Sequence, residues 1–270
     1  MCVYHFVVNK KTSRSGISSS DEFLVVLQTI DIFANSSNSL TYGSYSFCTV
    51  DRALVLCSEM EFRVPTLTHV IPSQGIGGVL AVTSLGDEVF VVHLYNGKRV
   101  EVYDAETFTL QRHITVPGLR SPASGLAACA VNHCIYASDW DNDRIHRVEL
   151  SGSNAVKKWS VVTDPRGLSV NKAHNVVVAC DGANKLQEYT THGSLVRETC
   201  LQAGVTDPWH AIQLSTGHYA VSQQKSPGVV SVVGVDGQVI HSYGPSQTSD
   251  VGQMNYPKSL VVTKNDDIYR

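Results

Sequence analysis

One sequence unit is stated and then restated along this chain, and a fixed repeat length narrows the available folds more than any other feature. The first clear copy reads SPASGLAACAVNHCIYASDWDNDRIHRVELSGSNAVKKWSV, and the second reads DPRGLSVNKAHNVVVACDGANKLQEYTTHGSLVRETCL. Both carry a proline and a glycine, an apolar run, a short polar turn, a second apolar run ending in Asp, a loop with Asn, and a closing hairpin. Pro122, Pro165, Pro208 and Pro257 open four such units, spaced 43, 43 and 49 residues apart. Repeats of this length build solenoids or propellers, and the period inside the unit separates the two.

That inner period is two. In RIHRVEL the apolar residues Ile145, Val148 and Leu150 miss helical spacing, and GVVSVVGVDGQVIHSY alternates around Asp236-Gly237. Asp-Gly between alternating apolar runs is the strongest short hairpin signal. No window of ten or more residues from Leu80 to Arg270 places apolar residues at i, i+3, i+4 and i+7. Roughly four short strands fit in ~43 residues once turns are subtracted, which is the size of a propeller blade. The unit therefore predicts a four-stranded antiparallel blade, and the chain an all-β propeller.

The residues of the second and third copies carry a more specific likeness. Pro165–Tyr189, with P-x-G-L-x-V followed by NVVVACDGANKLQEY, resembles an NHL repeat, and so does CIYASDWDNDRIHRV at Cys134–Val148. The latter is also similar to the YWTD blades of lipoprotein receptors. Ile135, Val177, Tyr219 and Ile268 occupy one family position, with Val89 in a looser preceding copy. The resemblance covers about Val79 to Arg270. The family's Asp after the second strand stands here as Asp139 and Asp181, whereas His93 and Gln223 replace it in the flanking copies. The NHL part of tripartite-motif proteins implies an RNA- or protein-binding face and regulatory or ubiquitin-ligase settings. No RING or B-box cysteine–histidine framework accompanies it here, so no ligase activity carries over.

Composition agrees with a folded body. Of 270 residues, 43% are hydrophobic and 17% charged, too apolar for a disordered chain. The net charge of −3 gives no global reason to expect nucleic acid, although that sum hides any local basic face. No run of 18 apolar residues exists, and MCVYHFVVNKK carries its charge after its short apolar run, unlike a signal peptide. Seven cysteines include no C-x-x-C, so reduced thiols and a cytoplasmic location are expected. Cys129 and Cys134, flanking a short turn, are expected to remain unbonded.

Residues 1–69 are the least legible. KKTSRSGISSSDE reads as a disordered or loosely attached segment. EFLVVLQTIDIF, LTYGSYSFCTV, RALVLCSEM and FRVPTLTHV are strand-like, and two readings stay open: a degenerate blade, or edge strands. Asn35-Ser36-Ser37 matches a glycosylation acceptor but carries little weight without a secretory signal. Residues 70–270 are assigned to blades. The first unit begins near Ile71, with its hairpin turn at Asp104–Thr107; later units begin at Leu119, Thr163 and Val205. The last opens with NYPKSLVV and stops at Ile268-Tyr269, inside a second strand. About four to five blades of a six-bladed type of ring are expected, hence an incomplete propeller and a fragment.

Propeller function resides in loops at the two ends of the channel. The unit-opening prolines are followed by Ala123, Arg166, Trp209 and Lys258, with Arg120, His210 and Tyr256 close by. Convergence of Arg120, Arg166, Trp209, His210, Tyr256 and Lys258 on one face gives a basic, aromatic surface suited to RNA or acidic peptide. The plainer alternative packs Trp209 into the next blade and leaves Arg166 and Lys258 as solvated charges. Asp139, Asp141 and Asp143 open like a calcium loop, but Arg144 and Leu150 stand where an EF-hand needs Gly and Glu. Asp139 and Asp181 are expected to bond loop backbone, with the other acids facing water. Eleven histidines show no zinc spacing, with His210 and His218 the nearest pair; no G-x-S-x-G elbow occurs, and GIGG at Gly75–Gly78 is not a dinucleotide fingerprint.

The first expectation is a non-enzymatic scaffold module that binds protein or single-stranded RNA, with no cofactor, metal, membrane or small-molecule substrate. The alternatives are a metal-dependent lyase or lactonase with its site in the channel, and a remnant without function. Channel chemistry needs inward acids from several blades; Asp164 and Asp207 are offered, but no acid at Arg120 or Tyr256.

Overall fold

A computed structural model describes residues 79–94, 98–152, 154–225, 228–244 and 256–262, together with the strand backbones Val3–Asn9, Leu24–Ile30, His69–Pro72 and Ile268–Tyr269. Among these residues every regular element is a strand. Strands β1 (Val3–Asn9), β2 (Leu24–Ile30) and β3 (His69–Pro72) form an antiparallel sheet in the order β2-β1-β3. Leu24–Ile30 of the strand-like run EFLVVLQTIDIF thus form strand β2. The serine-rich segment, Asn35 and the runs between residues 31 and 68 lie outside the described residues.

Four four-stranded antiparallel sheets follow, each a simple meander. The first contains β4 (Val79–Leu85), β5 (Glu88–His93), β6 (Arg99–Asp104) and β7 (Leu110–Thr115). Strands β8 (Leu126–Cys129), β9 (Cys134–Asp139), β10 (Arg144–Glu149) and β11 (Val156–Ser160) make the second. The third has β12 (Pro165–Val170), β13 (Val176–Cys180), β14 (Lys185–Tyr189) and β15 (Leu195–Cys200). The fourth has β16 (Pro208–Gln213), β17 (Tyr219–Gln223), β18 (Val229–Val233) and β19 (Val239–Tyr243). Strands β20 (Val261–Val262) and β21 (Ile268–Tyr269) pair as the start of a fifth.

The expected turns are in place. Asp104 accepts the backbone N–H groups of Glu106 and Thr107 at 3.0 and 2.7 Å, closing the β6–β7 turn. At Asp236-Gly237 the chain turns with φ +79° at the glycine, whose N–H donates to the Gly234 carbonyl at 2.9 Å. Only glycine fits that tip for a second reason. A Cβ there would stand 1.8 Å from the Cys200 carbonyl oxygen of the preceding sheet.

Burial runs from inside to outside in the same way in every unit. The second strands β9, β13 and β17 are buried along their whole length, while the fourth strands β7, β11, β15 and β19 are largely exposed. Ile135, Val177, Tyr219 and Val89, which share one repeat position, are all 1% exposed or less. Period-two alternation then sends neighbouring residues to opposite faces. Phe90, Val92 and Val102 meet Leu126, Ile135 and Val148 of the next sheet, and Tyr136 and Ile145 meet Leu168, Val176 and Val178. Val177 and Ala179 meet Ala211, Tyr219 and Val221. Each such side chain contributes about 1.5–3 kcal/mol by leaving water, so successive sheets are held face to face.

At the inner edge the first strands come closer than side chains allow. A Cβ on Gly125 would lie 2.4 Å from the Arg166 carbonyl oxygen, and one on Gly167 would lie 2.6 Å from that of Trp209. Hydroxyls span the same seams: Ser124 donates to the Pro165 carbonyl at 3.2 Å, Ser169 to Ala211 at 2.7 Å and Ser222 to Lys258 at 2.8 Å. Cys129 and Cys134 sit opposite each other in β8 and β9 as buried free thiols. The Gly167→Ala variant is expected to lose about 1–3 kcal/mol through overpacking. Urea unfolding read by circular dichroism checks this, with Gly204→Ala, where a Cβ meets open space, as the control.

Candidate interaction rim

The first strands start, and the second strands end, on the same rim of the sheets. Backbone bonds tie the two at each unit: Asp181 N–H donates to the Asp164 carbonyl at 3.0 Å, and Gln224 N–H to Asp207 at 2.9 Å. Asp164, Asp207 and Tyr256, each just before a unit-opening proline, adopt left-handed φ of 55°, 52° and 50°. Aspartate tolerates that conformation better than most residues, and an aromatic side chain does so rarely. The same kink therefore aims the residue after each proline in the same way.

The residues so aimed form a row. The Arg166 guanidinium lies 5.3 Å from the ring centre of Trp140 and 5.2 Å from that of Trp209, and Lys258 Nζ lies 5.5 Å from the Trp209 ring. Indole, guanidinium, indole and ammonium thus alternate across four units, an arrangement favoured by the aromatic quadrupole at about 0.5–2 kcal/mol per contact. Trp140 is 38% exposed, and the other three are half-buried. Neither expected reading describes Trp209 fully: it is neither sunk in the next blade nor free on the surface.

Arg166 is also paired with two carboxylates. Its Nη2 is 3.7 Å from Asp164 Oδ1 and its Nε is 3.6 Å from Asp181 Oδ2. Those separations suit charge pairing but exceed hydrogen-bond length, and the buried Nε has no hydrogen-bond partner. Burial pushes the Asp181 carboxyl up from its ordinary value; Arg166 pulls it down, while Asp207 and Asp164 add to the rise. The rim around Arg166 is therefore not the simple basic face the sequence suggested.

The remaining expected residues part company. Arg120 is exposed and donates its backbone N–H to Asp139 Oδ2 at 3.3 Å. Tyr256 is 51% exposed, with its N–H on the Lys225 carbonyl at 3.1 Å. His210 is buried and does not join the row. Its Nε2–H donates to the Leu168 carbonyl at 2.9 Å, and its Nδ1 accepts the Leu260 N–H at 3.0 Å. Both ring nitrogens are thus spent holding three first strands together.

Of the aspartates, Asp139 is buried and accepts from the Arg120 N–H, from Asn142 at 2.8 Å and from His146 Nε2 at 3.2 Å, as a loop-bonding residue should. Asp143 caps the Asp164 N–H at 2.8 Å, and Asp141 accepts from the Ser121 hydroxyl. Asp181 faces Arg166 instead of loop backbone, because the β12–β13 hairpin of its own unit brings it beside that cation. Among the described residues no group of three or more His, Cys, Asp or Glu has a geometry that would hold a metal ion, and no helix is long and apolar enough to cross a membrane. Trp140 escaped the sequence reading, which weighed its loop only for calcium ligands.

No family model matches the chain, and no curated sequence is similar to it. Solved structures are. A Kuenenia stuttgartiensis hydrazine synthase superposes with a TM-score of 0.53 at 17% identity, over 70% of this chain and 53% of that one, so the chain spans about half its length. Virginiamycin B lyase from Staphylococcus aureus gives 0.54 at 11% identity over 71% and 62%, respectively. The β-propeller domain of Cps50 (Swd1) from Myceliophteria thermophila gives 0.52 at 13% identity over 74% and 62%. The chain is a β-propeller of four-stranded antiparallel blades, of which the described residues supply four and part of a fifth. At these identities the likeness is one of fold alone.

Two buried histidines make stability depend on pH. Burial lowers the folded pKa of His210, against the pull of the Leu168 carbonyl, and that of His146, against the pull of Asp139. The unfolded chain titrates near the ordinary value of about 6.5 and binds more protons than the fold below it, so stability rises with pH across that window. Melting temperature is expected to fall as pH drops from about 7 toward 5. His210→Gln should melt lower at pH 8 yet show a shallower slope; an unchanged slope in the variant would contradict the assignment.

Proposed function

We propose that this chain is a non-enzymatic interaction module whose blades are scaffold and whose rim, centred on Trp140, Arg166, Trp209 and Lys258, binds a protein or single-stranded RNA partner. The alternating row of stacked aromatic and cationic groups carries this reading. Tryptophan, tyrosine and arginine dominate binding hot spots because they offer large, stiff contact area with a polar or cationic part. Trp140 and Tyr256 stay 38% and 51% exposed beside it, within reach of a partner. Holding Arg166 between two rings removes most of its rotamer freedom before any partner arrives, so less entropy is lost on binding.

The finer features of the reading rest on sequence. NHL-type blades are supported by the P-x-G-L-x-V and NVVVACDGANKLQEY pattern, whose glycine meets the steric demand at Gly167. A cytoplasmic setting is supported by Cys129 and Cys134, which face each other as thiols.

The reading predicts that Trp209→Ala weakens partner binding by about 1–3 kcal/mol while leaving the fold intact. Arg166→Glu, which places a third negative charge beside Asp164 and Asp181, should weaken it at least as much. Pull-down of the full chain from its own cell extract, followed by calorimetry on the recovered partner, measures both. Unaltered affinity in both variants would remove this rim from consideration.

A further inference from the structure

We infer that Cys129 and Cys134 form a redox-active dithiol, which a hydroperoxide converts reversibly into a disulfide across the β8–β9 hairpin. The site is independent of the rim described above, because the pair lies at the opposite end of those two strands.

Position comes first. Cys129 and Cys134 are directly opposed in the antiparallel register, on the last rung before the turn. Opposed residues on neighbouring strands point to one face with Cα atoms about 4.5–5.5 Å apart, inside the roughly 4.4–6.8 Å that a disulfide spans. Both are free and buried, in one apolar cluster. The turn that joins them is open: Ala130 and His133 are exposed, and Val131 is 69% exposed. Local opening of such a tip brings a molecule as small as a peroxide to the sulfurs.

Neighbouring groups make the two sulfurs unequal. The Asn132 Nδ2–H donates to Cys129 Sγ at 3.1 Å, a bond that favours the thiolate, the form that attacks peroxide. Burial pushes the Cys134 thiol up, while Tyr136 and Arg147, on the same face, pull it back. Arg147 is 6% exposed, spends Nη1 on Glu149 at 2.5 Å, and keeps a buried Nε with no hydrogen-bond partner. A cation with a donor to spare favours thiolate over thiol beside it.

Cys129 is therefore the first to react. Its thiolate attacks one peroxide oxygen; the O–O bond breaks, a sulfenic acid forms, and the departing oxygen leaves as water or, from an organic peroxide, as an alcohol. The Cys134 sulfur then attacks the sulfenic sulfur, the S–S bond forms, and the S–O bond breaks to release water. The two thiols supply two protons and two electrons, and the peroxide takes up both. A dithiol reductant reverses the step by exchange.

Hydrogen peroxide treatment of the full chain, followed by alkylation, trypsin and mass spectrometry, tests this. Both cysteines fall in the peptide Ser121–Arg144. That peptide is expected to lose two hydrogens and both alkylation sites, and to regain them after dithiothreitol. In Cys134→Ala, dimedone should trap a sulfenic acid on Cys129; in Cys129→Ala, Cys134 should be labelled far less. Asn132→Ala should slow the linkage about 3- to 10-fold. An unchanged rate in that variant, or dimedone on Cys134 instead, contradicts the order of attack. The chain unfolded in urea controls for closeness in sequence: in one dithiothreitol redox buffer it should hold a smaller linked fraction than the folded chain. Equal fractions, a bond from either residue to another cysteine, or a Ser121–Arg144 peptide that keeps both alkyl groups while the exposed Cys200 oxidises, overturns the inference.

Discussion

Everything in this molecule depends on sheets that cannot be stable alone. A four-stranded meander with apolar side chains on both faces must cover both, and here successive units from the first to the fifth cover the faces they turn to one another. The seams are tightest at the inner edge, where Gly125 and Gly167 let backbone approach backbone and where Ser124, Ser169, Ser222 and His210 bridge the gap. Toward the outside the requirement relaxes. The fourth strands show one mostly exposed pattern after another, because only their inner neighbour needs them.

The same constraint builds the rim. Fixing the first strands side by side fixes where each unit's opening residue emerges, and the left-handed kinks at Asp164, Asp207 and Tyr256 repeat one direction of emergence. Arg166 and Trp209 therefore meet across a seam without any contact specific to that pair being needed to bring them together. Once there, the ring and the guanidinium stabilise one another, and two carboxylates pair with the cation. The scaffold does the positioning, and the four side chains supply the chemistry.

How much of this could be read beforehand follows from the range of each interaction. Turn residues such as Asp104 and Asp236-Gly237, and the alternation around them, are local, so strands and hairpins were visible in the sequence. The repeat also revealed that Arg166, Trp209 and Lys258 hold equivalent places. Trp140 was missed because it reaches the row from the β9–β10 loop of another unit, and no periodicity links a loop residue to a strand start. His210 was misplaced for a simpler reason: in a strand, the neighbour of an outward residue points inward. The expectation of a basic face failed where charge pairing is tertiary, since Asp181 comes to Arg166 only through the hairpin fold of its own unit. Residues 10–23 and 31–68, outside the described residues, show no clear blade signature in the sequence.

Amide hydrogen exchange followed by mass spectrometry, on the intact chain, measures most directly whether one radial unit recurs. Slowest exchange should fall on β9, β13 and β17 and fastest on β7, β11, β15 and β19, with the same inner-to-outer order in each unit. Protection that is uniform along the chain, or an order that changes from one unit to the next, would contradict a set of blades sharing one axis.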